Sequence, residues 1–442
     1  MTGRILATIG LRKAGYYRWF LWGILTIPFM FAHFHRMSLG VIRDELVGEF
    51  GLSNIAFANI SSMYFYIYMT MQIPAGFLAD SIGARKTVAI GMILSGFGSI
   101  MFGFADNIGI LFVGRFLIGL GVSVIFIAIL KIISQWFKET DFAFLSALTS
   151  STGFVGGILA QGPLALLVAL ITLRTTFLII GVISFLLAII CYLFVRNTPA
   201  DIGLPAIDSR VGIEQTAQEE SKRPRLLEGL FIVIKNPRTW ATCILFFGFY
   251  GAFIALTGVW GTSFFIDVYA LPKVTAANYI MYAIIGSAIG SLMIGKLSDY
   301  IKHRKLPMYI FGGINVLCWS ILVFMKGGKP PLQIMPSLMF ILGFSSVSYI
   351  LSWACSKEIN PKEIAGISTS VVNVGGQLGA AFVPLILGFV FDFYGASLPV
   401  VQLYQKAFLC CLGAVFLALT ATFLVKETHC QNIYKLSNKN KI

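Results

Sequence analysis

Charged residues are scarce in this chain: they make up 12% of its 442 residues, whereas soluble globular domains carry about 25%. Acidic residues are the scarcer sign, with 19 Asp and Glu against 33 Lys and Arg. This leaves too little polar surface to face water, and the hydrophobic fraction of 57% indicates lipid as the solvent. The apolar runs are about 20 residues long and do not alternate, which fits membrane-spanning helices and excludes barrel strands.

Sequence signals for catalysis are missing as well. The chain has no nucleotide-binding loop, no nucleophile elbow and no pair of cysteines at zinc-ligand spacing. Asp and Glu are nearly absent from the apolar runs, so no carboxylate pair is available for acid–base chemistry. We therefore expect neither an enzyme nor a bound metal or cofactor.

The apolar runs form two sets of six, which we number as spans 1 to 12. They lie near residues 18–45, 55–79, 87–105, 109–136, 142–170 and 173–195, and near 238–266, 275–298, 306–325, 332–355, 364–391 and 402–425. The segment between the sets is polar and contains three prolines, which predicts an interdomain linker. The predicted domains are a first half (1–195), a linker (196–236), a second half (237–425) and a tail (426–442).

Basic residues alternate between the two ends of the spans. The N-terminal arm, the loops after spans 2, 4, 8 and 10, the linker and the tail hold 24 Lys and Arg, and the opposite loops hold six. By the positive-inside rule, both termini are cytoplasmic. The net charge of +14 then follows from topology and does not indicate a nucleic-acid partner.

A short motif occurs at matching places in the two halves. GFLADSIGARK begins at Gly76, at the end of span 2, and GKLSDYIKHRK begins at Gly295, at the end of span 8. Both segments place Gly four residues before an Asp, which is Asp80 in the first half and Asp299 in the second. Basic residues follow shortly after each Asp. The repeat predicts two parallel halves of six spans.

These segments, together with GRFLIGLG from Gly114, resemble the loop and helix-four motifs of the major facilitator superfamily over nearly the whole chain. The resemblance implies an all-α membrane protein with twelve helices in two pseudo-symmetric six-helix bundles. It also implies a charge latch between helices that favours one access state, and a helix-four Arg that holds span 1 against span 4. The latch residues carried over are Gly76, Asp80, Gly83, Arg85, Lys86 and Asp299, and the helix-four residues are Arg115 and Gly119. The alternative for the latch is charge that only sets topology, and Ser81 stands where the family usually has a basic residue.

A finer resemblance is to the organophosphate-exchange and anion–cation symporter branches of that family. The stretches that carry it are FHRMSLGVI around Arg36, LKIISQWF around Lys131, VRNTPADIGLPAI from Val195, NVGGQLGAA from Asn373 and FDFYG from Phe391. The phosphate-exchange branch has a second Arg, a Lys and a His at the positions of Ile254, Gln72 and Gly153. Since this chain lacks all three, the resemblance favours a carboxylate substrate over a phosphate ester.

Two cations inside the spans are the main candidates for substrate binding, Arg36 in span 1 and Lys131 in span 4. A charge in the bilayer costs at least about 2.5–3.5 kcal/mol on insertion scales, so it faces a polar cavity and usually serves function. Without a compensating carboxylate, two such cations would form a site for a carboxylate or phosphate. The alternatives are snorkelling of Arg36 and interfacial anchoring of Lys131. Further candidates, each more often a packing residue, are Tyr64, Tyr68, Gln72, Tyr250, Trp260, Tyr282, Trp353, Asn373 and Gln377.

If transport is coupled to protons, we expect histidine to carry the proton, because no carboxylate lies in mid-span. His33 and His35 lie in span 1 beside Arg36, and His33 shares a helix face with it. An unperturbed imidazole titrates near pH 6.5. Attraction between a bound anion and a protonated imidazole would make the two bind cooperatively. The alternative is that both histidines pack and hydrogen-bond, and that transport is uniport or exchange.

The sequence therefore predicts a secondary active transporter that moves a small organic anion across the cytoplasmic (inner) membrane by alternating access. One alternative is transport of an uncharged or zwitterionic solute, with Arg36 serving structure. The other is a receptor or channel, although the chain lacks a soluble output domain and a continuous polar stripe. We expect a multi-pass monomer whose partners are lipid, a small-molecule substrate and, where transport is coupled, a proton.

Overall fold

The computed structural model describes residues 2–203 and 226–434. Residues 204–225 of the predicted linker and 435–442 of the predicted tail lie outside this range, and so do their basic residues. All regular elements in the described part are helices. This confirms the all-α class that the length of the apolar runs predicted.

The helices up to the linker are α1 (Thr2–Met37), α2 (Arg43–Phe50), α3 (Asn54–Thr70), α4 (Gln72–Ser81), α5 (Ala84–Gly103), α6 (Ile108–Ser123), α7 (Ile125–Trp136), α8 (Glu139–Leu159), α9 (Gly162–Ile171) and α10 (Leu173–Phe194). Short 3-10 turns lie at Leu39–Val41 and Pro199–Ile202. Span 1 was predicted to run to residue 45, but α1 ends at Met37. The chain then turns through Leu39–Val41 into α2.

The later helices are α11 (Leu226–Lys235), α12 (Pro237–Ile254), α13 (Gly261–Tyr269), α14 (Lys273–Ile301), α15 (Lys305–Phe324), α16 (Met335–Ser346), α17 (Ile350–Ile359), α18 (Ala365–Tyr394) and α19 (Val400–Leu424). A π-helical segment, Ala255–Trp260, joins α12 to α13. Short 3-10 turns lie at Met325–Gly327, Leu332–Ile334, Val347–Tyr349 and Lys362–Ile364.

Breaks divide several predicted spans into two helices. Span 5 bends by 40° between α8 and α9. Pro163 lies just after this break, and its ring cannot continue the hydrogen bonds of a helix interior. Span 2 breaks at Met71, between α3 and α4. Gln161 lies in the break between α8 and α9.

In the described ranges, nine helical segments are long and apolar enough to cross a membrane, and the bent pair α8–α9 would make a tenth. They include the composite segments Ile108–Trp136, Pro237–Tyr269 and Leu332–Ile359. A polytopic helical membrane protein is therefore confirmed. The count of twelve and the cytoplasmic side of the termini stay predictions.

The helices form two compact units. The first comprises Met1–His35, Thr70–Gly156 and Ile171–Ser221, and the second comprises Arg36–Met69, Gly157–Leu170 and Lys222–Ile442. The second unit thus contains two segments of the predicted first half. The predicted domain boundaries stay a prediction.

Small residues permit close helix packing within each unit. In the first unit, α5 meets α6 so closely that a Cβ on Gly121 would lie 2.2 Å from the carbonyl oxygen of Gly91. In the second, a Cβ on Gly343 of α16 would lie 1.8 Å from the carbonyl oxygen of Ala283 on α14. At these crossings the backbones touch directly, which fixes the helices that carry the polar side chains.

Candidate functional site

Arg36, the penultimate residue of α1, is a buried cation in the second unit, with 8% of its surface exposed. Its Nη1 donates a hydrogen bond of 2.9 Å to the hydroxyl of Tyr250 on α12. The guanidinium carbon lies 5.6 Å from the ring centre of Tyr64 and 5.0 Å from that of Tyr68, both on α3. These distances are within cation–π range. The structure therefore brings together Arg36, Tyr64, Tyr68 and Tyr250, four of the predicted substrate-binding residues.

The guanidinium of Arg36 has tyrosines, and no acidic residue of the described ranges, around it. Among the described residues no carboxylate forms an ion pair with it, and the groups that stabilise its charge are tyrosines. Its Nε is buried and has no hydrogen-bond partner in the described part of the chain. A buried charged donor without an acceptor is unfavourable. An anionic oxygen is a suitable acceptor, because guanidinium groups bind carboxylates in bidentate geometry.

An aromatic cluster continues from Tyr250 across the second unit. The rings of Phe246 and Tyr349 stack with centroids 4.8 Å apart, and Tyr349 lies 5.1 Å from Tyr250. Trp353 contacts Phe246 edge-on at 5.4 Å. The sequence predicted Tyr250 and Trp353 and missed Phe246 and Tyr349. The signal for Tyr349 was its i, i+4 spacing with Trp353.

The remaining polar candidates lie in several places. Trp260 is fully buried, and its Nε1 donates to the carbonyl of Pro384 at 3.1 Å. Tyr282 on α14 is 41% exposed. Gln377 on α18 is buried, and its Oε1 has no hydrogen-bond partner in the described ranges. Asn373 lies on α18, and Gln72 begins α4 in the first unit. Their role in substrate binding stays a prediction.

The two histidines of α1 belong to the first unit. His35 is fully buried, with Nε2 3.5 Å from the hydroxyl of Ser99. Its backbone carbonyl accepts a hydrogen bond of 2.7 Å from Nη1 of Arg115 on α6. The ring of His33 lies where a side chain at Gly153 would stand, 2.6 Å from an ideal Cβ there. Arg115 thus links α1 to α6 by this hydrogen bond, and Gly119 is buried on the same helix. The role that the helix-four motif implies for these two residues stays a prediction.

The predicted latch residues make two separate sets of contacts in the first unit. The carboxylate of Asp80 accepts a hydrogen bond from the ammonium of Lys131 at 2.7 Å. Arg85 donates from Nε to the carbonyl of Tyr192 at 2.6 Å and lies over its ring. Lys86 is exposed, and the neighbourhood of Gly76 is open. Lys131, predicted to bind substrate, is therefore the ion-pair partner of Asp80, and both predicted roles stay predictions.

Gly83 has a backbone that only glycine readily adopts, with φ of 83°. An ideal Cβ there would lie 2.4 Å from the side chain of Asn197, whose Oδ1 accepts the backbone N–H of Arg85 at 3.0 Å. Asn197, two residues beyond the predicted end of span 6, therefore caps the start of α5. The sequence flagged this region only through the VRNTPADIGLPAI stretch.

The second unit has a larger charge cluster at the corresponding motif. Arg304 pairs with Asp299 and with Glu358, each at 2.7 Å. The carboxylate of Glu427, just after α19, accepts the backbone N–H of Arg304 and of Lys305 at 2.9 Å each. Burial opposes the charge of Arg304, but hydrogen bonds and attraction from Glu358 and then Asp299 raise its pKa. The sequence predicted Asp299 and missed Glu358 and Glu427.

Within the described ranges, one group of side chains has the composition of a metal site. Ligand atoms of His303, Glu427 and His429 lie within 4.8 Å of one another. However, the two oxygens of Glu427 together accept four backbone N–H groups, three at Oε1 and one at Oε2, so most of its acceptor capacity is already used. Arg304 and Lys305 lie beside it. This arrangement fits an anchored chain segment better than a cation site, and the expectation of no metal stays a prediction.

Asp392 on α18 was also missed, although it lies within the FDFYG stretch. Its carboxylate accepts the backbone N–H groups of Asn54 and Ile55 at 2.9 Å each. Those residues begin α3, the helix of Tyr64 and Tyr68. Asp392 therefore caps a helix that contacts Arg36.

A family model for the Major Facilitator Superfamily matches residues 14–384. An uncharacterized transporter of Bacillus subtilis (strain 168) is 25% identical over 93% of this chain and 96% of that protein. The "Probable galactarate/D-glucarate transporter" of the same organism is 23% identical over 86% of this chain and 87% of that protein. The fold matches the crystal structure of a point mutant of the nucleoside transporter NupG, with a TM-score of 0.67 and 16% identity, over 91% of this chain and 100% of that one.

Proposed function

This chain belongs to the major facilitator superfamily, and on that premise we propose that it moves a small organic anion across the inner membrane by alternating access. A transporter in a membrane follows from the family. The anionic substrate, the inner membrane and the mechanism are our proposal. The observation that carries it is Arg36, a buried guanidinium without an acidic partner among the described residues.

The surroundings of Arg36 favour an anion with one strongly bound carboxylate. Three tyrosines stabilise the guanidinium, and within the described ranges Nε has no acceptor of its own. One relative is named a probable galactarate/D-glucarate transporter, and both of these anions are sugar acids with carboxylate groups. The phosphate-exchange residues are missing at Ile254, Gln72 and Gly153, which supports a carboxylate over a phosphate ester.

We retain the proposal that Lys131 binds substrate. Because Lys131 pairs with Asp80, we also propose that it takes part in the latch. Proton coupling through His33 and His35 is likewise proposed. The ring of His35 contacts Ser99, and its backbone carbonyl accepts from Arg115, so a change in the charge of the ring would act where α1 meets α6. Separate variants can test each of these roles.

The proposal is tested by ligand binding to purified protein. We expect D-glucarate, or another sugar acid in a panel with hexose phosphates, nucleosides and amino acids, to raise the melting temperature. Arg36→Gln should remove this shift, and Arg36→Lys should weaken it, because Lys keeps the charge but loses the bidentate geometry. Lys406→Gln is a matched control, since Lys406 stacks on Tyr394 elsewhere in the same unit.

Two outcomes would contradict the proposal. One is stabilisation only by uncharged or zwitterionic solutes, which would leave Arg36 with a structural role. The other is a folded Arg36→Gln variant that binds the sugar acid as tightly as wild type. Uptake into proteoliposomes then distinguishes a transporter from a receptor, which would bind without accumulation.

A further inference from the structure

The seventh span is interrupted by a π-helical segment just after Tyr250. The segment is Ala255–Trp260, and all six of its residues are buried. A π-helix forms i→i+5 hydrogen bonds and occurs mostly as short insertions, frequently at functional sites. Tyr250, which accepts the hydrogen bond of Arg36, lies on the same span five residues before the segment begins.

The side chain of Gln161, in span 5, binds this segment. It lies in the break between α8 and α9 and is fully buried. Its Nε2 donates to the carbonyl of Thr257 at 3.0 Å and to the carbonyl of Met37 at 3.4 Å. Thr257 is within the π segment, and Met37 follows Arg36 in the chain. One carboxamide therefore links the backbone of the π segment to the backbone beside Arg36.

The two linked backbones lie in direct contact. An ideal Cβ on Gly40, three residues after Met37, would stand 2.9 Å from the carbonyl oxygen of Val259. A Cβ on Gly258 would stand 3.4 Å from the carbonyl oxygen of Arg36. No side chain separates the end of α1 from the π segment here, so a shift of one backbone is transmitted to the other.

We propose that Gln161 is a positioning residue for the anion site: it holds the end of α1 that carries Arg36 against the π segment that follows Tyr250. The inference rests on the proposed function. It adds to the anion site a residue, Gln161, that does not itself contact the guanidinium of Arg36. Both hydrogen bonds use the amide N–H group, and Oε1 has no partner within the described ranges. Losing the donor should therefore loosen Arg36 without removing any group that touches the anion.

The experiment measures the reactivity of Arg36 without any ligand. Phenylglyoxal, a neutral reagent for arginine, is applied to the purified full chain, and the modified Arg36 peptide is quantified by mass spectrometry. Gln161→Met has similar length but no donor, so it loses both hydrogen bonds. We expect at least about fivefold faster modification, which is the factor for one of them. Gln161→Leu likewise has no donor, and we expect at least the same effect. It replaces Gln161→Met if that variant does not fold.

Asn315→Leu is the matched control, because Asn315 is another buried carboxamide of the second unit and donates to the carbonyl of Leu342. It should not change the modification rate of Arg36. A merely structural role of Gln161 would give equal rates for Gln161→Met and wild type, or equal acceleration by Asn315→Leu, and either result overturns the inference. In the Tyr250→Phe background, Gln161→Met should have a smaller effect, since both act on the position of Arg36.

Failure of the proposed function gives a different result. Adding D-glucarate to the wild type should protect Arg36 from phenylglyoxal if the sugar acid binds there. If D-glucarate gives no protection while the Gln161 variants accelerate modification, the inference stands and this choice of anion is wrong. If D-glucarate protects and the variants react at the wild-type rate, the anion site stands and the role of Gln161 is refuted.

Discussion

The ammonium of Lys131 on α7 lies 2.7 Å from a carboxylate oxygen of Asp80 on α4. The two side chains are 42% and 67% exposed, so the ion pair contributes at most about 1 kcal/mol. That matters little for folding, but it corresponds to about fivefold in a two-state equilibrium. The pair joins a residue predicted for the latch to one predicted for the substrate, and mutagenesis can separate the two roles.

If the ion pair acts as a latch, Asp80→Asn and Lys131→Gln should change the conformational equilibrium by the same factor, up to about fivefold. The double variant should change it no further, because each substitution breaks the same pair. The measurement is the labelling rate of Ser134→Cys in a background without the native cysteines, at low and high salt. The charge-swapped pair Asp80→Lys with Lys131→Asp is the control and should restore the wild-type rate.

A different result is expected if Lys131 binds substrate and does not act as a latch. If Lys131→Gln abolishes binding of the sugar acid while Asp80→Asn binds it as wild type does, Lys131 serves the substrate. The ion pair with Asp80 would then have no separate role in gating.

Long-range partners explain which features the sequence could and could not predict. The all-α class followed from the length of the apolar runs, and Arg36 stood out because a charge inside an apolar run is costly. The partner of Lys131 lies 51 residues away, and several basic residues were equally plausible for Asp80. The sequence could not predict the role of Gln161, because both groups that it binds are backbone carbonyls. It could not predict the π segment either, because the residue types of Ala255–Trp260 are ordinary for an apolar helix.

Histidine coupling makes a prediction about gradient-driven uptake. In proteoliposomes with an imposed pH gradient, wild type should accumulate the sugar acid, and the double variant His33→Gln with His35→Gln should only equilibrate or exchange it. The reason is that, among the residues the structure describes, no buried carboxylate lies in mid-span to take the proton. His303→Gln is the control, since His303 is 48% exposed and lies between α14 and α15. Accumulation that persists in the double variant would rule out histidine as the proton carrier.

The hydrogen bonds of Glu427 predict that the stability of the folded protein depends on pH. Burial alone would raise its pKa, but the backbone N–H groups of Arg304, Lys305, His429 and Thr428 outweigh burial and lower the pKa below 4.5. A carboxyl whose pKa is lowered on folding contributes stability above its unfolded pKa and loses it as pH falls through the folded value. Glu427→Gln should therefore cost on the order of 1 kcal/mol at pH 7.

The measurement is the melting temperature of wild type and Glu427→Gln from pH 7 down to about pH 3.5, spanning the carboxyl range. The difference between them should be constant above the unfolded pKa and should shrink below it. Asp106→Asn is the control, because the carboxylate of Asp106 accepts from the side chain of Asn107 and does not anchor the tail. A difference that does not change with pH would show that Glu427 acts through packing and not through its charge.

Asp392 predicts that the start of α3 and the anion site are coupled. Its two oxygens accept the first two N–H groups of α3, and Oδ1 also accepts from Nδ2 of Asn54 at 2.9 Å. Capping of this kind is worth about 1 kcal/mol at exposed sites. Asp392→Ala should therefore increase deuterium exchange at the start of α3, from Asn54 onward, with a smaller increase for Asp392→Asn, which keeps one acceptor.

Because α3 carries Tyr64 and Tyr68, Asp392→Ala should also weaken binding of the sugar acid several-fold. If exchange at the start of α3 rises while affinity is unchanged, the cap stabilises the helix without positioning the tyrosines.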